Sequence, residues 1–123
     1  MRANFIFIGT ALLGGTATAA DLGFEGNWMR GDGNALVRIA PCGDNICATN
    51  LWIRDPSKGE AVGDRLVMSL EPQSASSFAG TAYDPKRKLR YSIVVSARAK
   101  SLTTRGCFLG KMLCKDVTWT TAR

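Results

Sequence analysis

Residues Leu89–Ala97 alternate strictly for nine positions. Leu89, Tyr91, Ile93, Val95 and Ala97 fall on one side, and Arg90, Ser92, Val94 and Ser96 on the other. A period of two is the pleat of a β-strand with one face buried. A slip of one residue would turn every apolar side chain outward, so the pattern specifies register as well. A chain that contains this stretch has to supply a sheet around it.

Similar but shorter stretches recur along the chain. Residues 24–31 place Phe24, Gly26, Trp28 and Arg30 on one face, and Asp32-Gly33 then signals a hairpin. Residues 35–40 form the return strand, which Pro41 is expected to end by removing a ladder donor. Gly43-Asp44-Asn45 is turn chemistry. In residues 47–54, Leu51 and Ile53 alternate with Asn50, Trp52 and Arg54. Further strands are expected at 66–70, 78–83, 102–107 and 115–121. Short strands at this spacing, with turn signals between them, predict a barrel or sandwich. Closure removes exposed edges and favours the barrel. The expected fold is all-β: a small antiparallel up-and-down barrel of about eight strands.

Residues 55–64, DPSKGEAVGD, form the longest break between strands and are expected to be a loop, with the length of a lid or binding loop. Ala79, Gly80 and Ala82 lie in one strand. Residues this small let a wall bend, let a ligand approach, or mark a tight packing contact.

The first 20 residues read differently. Met1-Arg2 is a short positive end, residues 5–13 are an apolar run, and Ala17-Thr18-Ala19-Ala20 offers small residues to a peptidase. This is the pattern of a secretory signal peptide, which leaves residues 21–123 as the barrel domain. The apolar run is well short of the ~20 residues that a spanning helix needs. Export to a periplasmic or extracellular compartment is therefore expected.

The remaining chain holds Cys42, Cys47, Cys107 and Cys114. An even number in an exported chain reads as two disulfides. Three pairings exist. Cys42–Cys47 with Cys107–Cys114 is favoured, and the pairing of first with third and second with fourth stays open.

The full chain has a formal net charge of +6. One cluster stands out, Lys86-Arg87-Lys88 with Arg90, at an expected turn. The plain reading is a solvated turn, and the alternative is contact with an anionic envelope component. Nucleic-acid binding would need a longer basic stripe with stacking aromatics, and only Tyr91 is near. The sequence contains no histidine, so the usual general base and the usual metal ligand are both missing. No cofactor or metal is expected. Glu25, Asp32, Glu71, Asp84 and Asp116 could supply a carboxylate pair, but none is singled out. Arg30-Gly31-Asp32 spells an adhesion tripeptide and is read here as a turn. The expectation is a non-catalytic protein.

Trp28, Trp52 and Trp119 all fall in strands. Gly26, Trp28, Trp119 and Arg123 are expected to close the barrel where the first and last strands meet, with Arg123 or Arg30 stacked on a tryptophan. A small barrel fills its interior with side chains or holds one small ligand. Trp52, Met68, Phe78, Tyr83 and Tyr91 are the expected lining for a largely apolar ligand. The alternative is a filled barrel serving as an envelope interaction module.

The run Ala35 to Asp44, ALVRIAPCGD, with Gly26-Asn27-Trp28 before it and Cys47 after it, resembles an exported bacterial family, domain of unknown function 2147. The likeness continues through Leu51-Trp52, Asp55-Pro56, Gly80 to Pro85, Tyr91, Arg105-Gly106-Cys107, Cys114 and Val117-Thr118-Trp119. The resemblance implies a lipocalin-like barrel with no established activity. Gly26-x-Trp28 is also similar to the opening of the lipocalins, where such a Trp packs under a late Arg. Ala48 stands where the family often has Gly, and Arg123 lies two positions later than the family's closing Arg.

Overall fold

A computed structural model describes residues 22–110 and 112–122. The signal sequence expected at 1–20 and the closing role expected of Arg123 lie outside those residues. Eight strands follow in order: β1 (Gly26–Arg30), β2 (Ala35–Cys42), β3 (Asn45–Ile53), β4 (Arg65–Pro72), β5 (Ser77–Asp84), β6 (Leu89–Ala97), β7 (Ser101–Phe108) and β8 (Leu113–Ala122). Each pairs antiparallel with the next, and β8 pairs with β1, so the barrel is closed. The closing register runs from Asn27↔Ala122 to Arg30↔Trp119. Trp28 and Trp119 thus sit on hydrogen-bonded neighbours, as closure at those residues requires. Among the described residues, no helix is long and apolar enough to cross a membrane.

Up-and-down order sends successive connections to opposite ends. The lead at 22–25 and the turns after β2, β4 and β6 lie at one end, called the floor here. The connections after β1, β3, β5 and β7 lie at the other, the mouth. The core is concentrated toward the floor. Phe24, Trp28, Ile39, Ile46, Met68, Phe78, Val95 and Leu102 are all buried. Phe24 and Phe78 tilt together at 5.2 Å between ring centroids. The Trp28 indole Nε1 donates to the Phe24 carbonyl oxygen at 2.9 Å, which satisfies its polar atom inside the core. Each large apolar side chain removed from water here contributes ~1.5–3 kcal/mol.

β6 has the span and faces that the alternation predicts: Ile93 and Val95 are buried while Val94 and Ser96 are exposed. Two local expectations are corrected, and one alternative is selected. Pro41 does not end β2; the strand continues to Cys42, with Pro41↔Ile46 and Cys42↔Asn45 still in register. β3 does not alternate evenly to its end. Leu36 pairs with Trp52 and Val37 with Asn50, so Leu51 is an extra residue in β3. This bulge restarts the alternation and leaves Leu51 and Trp52 both exposed. Gly80 takes the packing role: a Cβ built there would sit 1.7 Å from the Ser69 carbonyl oxygen across the β4–β5 pair.

Both favoured disulfides are present, Cys42–Cys47 and Cys107–Cys114. The first closes the β2–β3 turn, and the second joins directly paired residues of β7 and β8. Both close short loops, which confine the unfolded chain least.

Candidate functional site

The inward faces change character along the barrel. Toward the floor most of their large apolar side chains are buried. Toward the mouth Ile53, Leu66, Tyr91 and Val117 are only half-buried, and Leu89, Phe108 and Leu113 are exposed. Leu70 and Trp119, lower on the wall, also keep partial exposure. Water therefore reaches an apolar inner wall from the mouth.

Tyr91 stands at the boundary between dry core and open mouth. Its ring lies 4.9 Å from that of Phe108. Gly106 makes room for it, since a Cβ at Gly106 would come within 2.8 Å of the Tyr91 Cε2. Burial, aided by the Asp84 charge, pushes the Tyr91 hydroxyl above its ordinary pKa. The phenol stays neutral through the physiological range. Trp119, two strands away in β8, donates its Nε1 proton to the Thr104 hydroxyl at 3.1 Å.

The five side chains expected to line a ligand site do not come together. Met68 and Phe78 belong to the buried core. Trp52 faces outward because the Leu51 bulge intervenes. Tyr83 also faces outward, with Arg90 stacked on its ring at 4.8 Å. It alternates with Ala82, which is fully buried. Tyr91 alone occupies the mouth. Phe108 touches Tyr91, and Ile53, Leu66, Leu113 and Val117 lie on the same inward faces; sequence reasoning left all five unassigned. The usable signal was register: Phe108 and Leu113 are paired across the β7–β8 hairpin beside Tyr91.

A polar cluster fixes the rim. Arg30 makes a bidentate bond to Glu60, with one contact at 2.7 Å, and a further bond to Asp32. Asn34, on the β1–β2 turn, is nearly buried. Its Nδ2 donates to Glu60 Oε1 and to the Asp55 carbonyl, and its Oδ1 accepts from the Asp55 amide. Arg30 holds the Glu60 carboxyl below the usual carboxylate range, chiefly by hydrogen bonding, with Asn34 adding to it. Asp32 is lowered first by its hydrogen bond from Arg30. The same partners raise the Arg30 pKa. Arg30 thus serves the β3–β4 loop, and Asp32 serves its own turn; the adhesion tripeptide spelled there is a structural turn.

The loop predicted at 55–64 lies between β3 and β4 and carries a single 3-10 turn, Pro56–Lys58, capped by the Asp55 side chain. It is tied down on its other flank by the β5–β6 turn. Lys86 Nζ reaches Asp64 and the Gly59 carbonyl, and Arg87 reaches that carbonyl and Asp84. Two members of the expected basic cluster therefore hold the loop, while Lys88 and Arg90 face solvent.

A separate depression of about 530 Å³ lies at the floor end, between Glu25–Asn27 and Arg38–Pro41, and is open to solvent. It is unconnected with the mouth residues.

No curated protein and no solved structure matches the chain. A family model does, over residues 26–121, which takes in all eight strands apart from the last residue of β8. Its description is an uncharacterized protein conserved in bacteria, and the chain belongs to that family, domain of unknown function 2147.

Proposed function

We propose that the protein is an exported, non-catalytic barrel that takes a small, largely apolar ligand into its mouth. The observation that carries this reading is the half-wetted apolar wall of Ile53, Leu66, Tyr91, Phe108 and Val117 above a dry core. A ligand seated there would displace water from apolar surface, at about 25 cal/mol for each Å² covered. The pinned β3–β4 loop supports it as a preformed rim, since a site that need not be ordered on binding loses less affinity to entropy.

Three facts support the absence of catalysis. The chain has no histidine. Most rim carboxylates are held in ion pairs: Asp32 and Glu60 with Arg30, Asp64 with Lys86, and Asp84 with Arg87. All four cysteines are in disulfides. Those disulfides also suit a periplasmic or secreted location, where oxidised cysteines persist.

The test is native mass spectrometry of the protein purified from its own envelope fraction, followed by titration with N-phenyl-1-naphthylamine as an apolar probe. Expected are a bound mass above that of the bare chain and probe fluorescence that the extracted ligand competes away. A bare mass together with no probe binding would overturn the reading.

A further inference from the structure

The mouth carries a second feature, at its rim. The β7–β8 turn displays Leu109 at 70% exposure, Met112 at 82% and Leu113 at 60%. Phe108 at its base and Leu89 on the neighbouring strand are exposed as well. The β6–β7 register places Ser92 opposite Cys107, and the contact between Tyr91 and Phe108 brings the start of β6 beside this turn. These side chains therefore form one patch. The turns of the floor end, at 43–44, 73–76 and 98–100, hold no large apolar residue.

Two details argue that the patch has an external role. Leu109 has a φ of 51°. Glycine or asparagine adopts that conformation with less strain, and a leucine side chain in water gives the barrel no packing in return. The hairpin is also clamped at its base by Cys107–Cys114, so the tip is held out rather than free to fold back.

Cations flank it. Lys88 occupies the neighbouring β5–β6 turn, and Lys115, in β8 and paired with Gly106, stands exposed at the mouth, where its charge also acts on Asp32. Among the described residues, neither makes an ion pair with a carboxylate. A convex tip of unbranched and γ-branched side chains, flanked by cations, offers no concavity for a shaped protein partner. It does match a deformable phase with an apolar interior and a negative surface.

We infer that this end of the barrel docks on a lipid surface bearing anionic headgroups. Leu109, Met112 and Leu113 enter the acyl boundary while Lys88 and Lys115 meet the headgroups. The mouth then opens toward the lipid. Docking does not depend on the mouth holding a ligand, and the assay below reads it separately.

The experiment is vesicle flotation of the chain as its host processes it. One vesicle population is phosphatidylcholine alone, and the other contains an equal part of phosphatidylglycerol. The protein floats with the mixed vesicles, less with the neutral ones, and less in high salt, which screens the headgroup attraction. The double variant Leu109→Asn with Met112→Ser keeps the fold, because asparagine tolerates the left-handed backbone. Its circular dichroism and melting should match the parent, and its vesicle affinity should fall about tenfold or more. Failure of the parent chain to float with mixed vesicles would overturn the inference, as would equal flotation of the double variant. It is also overturned if the parent is a dimer that binds no vesicle and the double variant is a monomer, since the patch then covers a second copy of the chain.

Discussion

The two ends of this barrel are built on opposite principles. At the floor, Phe24, Trp28 and Phe78 pack without water and the turns are short and polar. At the mouth, the inner wall is half-wet, the longest loop is held by ion pairs and side-chain amides, and apolar residues stand in solvent. Packing is concentrated at the floor, and exposed apolar and charged side chains at the mouth. Proteins commonly draw their binding regions from the less stable part of the fold, and the contrast here predicts which substitutions harm folding and which harm only function.

The largest effects belong to the floor and the wall below it. Gly80→Ala should cost about 3 kcal/mol or more, because the new methyl would meet the Ser69 carbonyl at 1.7 Å. Backbone cannot swing aside as a side chain can, so β4 and β5 must part at Leu70↔Gly80. Trp28→Ala should cost a comparable ~3–5 kcal/mol by leaving a cavity against Phe24. Urea unfolding measures both. A loss under about 1 kcal/mol in either would remove the distinction between the ends.

Next comes the rim. Glu60→Gln leaves Arg30 with one carboxylate fewer in a partly buried site and should cost ~1–2 kcal/mol, mostly local to the loop. The amides of Arg54 and Asp55, which bond to Asn34, should lose protection from hydrogen exchange. Acid should act in the same direction. The Glu60 carboxyl is lowered in the folded protein, so its stabilisation is complete above the unfolded value of ~4.3. It is lost as pH falls through the folded value. Exchange at those amides should therefore rise in acid before the floor unfolds. Unchanged protection down to global unfolding would mean that the ion pair does not hold the loop.

How far the sequence carries differs between the ends for the same reason. The strict alternation of Leu89–Ala97 reports one strand's own pleat, and β6 has that span. The two disulfides close neighbouring strands, so short spacing sufficed to favour them. The bulge at Leu51 could not be read, because it exists only relative to Leu36 and Val37 on the partner strand. That single extra residue is why Trp52 faces solvent. Asn34 looks like a turn residue within DGN, and its role is created by Asp55 and Glu60 arriving from more than twenty positions away. The barrel was legible because pleats and turns are local. The mouth was not, because it is assembled from residues that meet only after closure.

A smaller effect is expected where core and mouth meet. Gly106→Ala pushes a methyl to 2.8 Å from the edge of the Tyr91 ring. The ring can tilt toward the opening, so the cost should stay near 1 kcal/mol. The tilt narrows the mouth, and binding of N-phenyl-1-naphthylamine should weaken more than stability does. Equal probe affinity in this variant would place the probe away from Tyr91.

The smallest stability change should be the most informative. Leu113 is 60% exposed, so Leu113→Ala removes few packed atoms and should shift unfolding by no more than ~0.5 kcal/mol. Leu113 nevertheless pairs with Phe108 on the inner wall of the mouth and belongs to the exposed tip. Its loss should therefore weaken the apolar probe, the vesicle affinity or both, in a protein whose melting is unchanged. Trp28→Ala should do the reverse, lowering stability sharply while the surviving folded fraction binds normally. A Leu113→Ala variant that melts early but binds fully would show that the tip helps hold the barrel together. Structure and surface would then be shared between the two ends rather than divided.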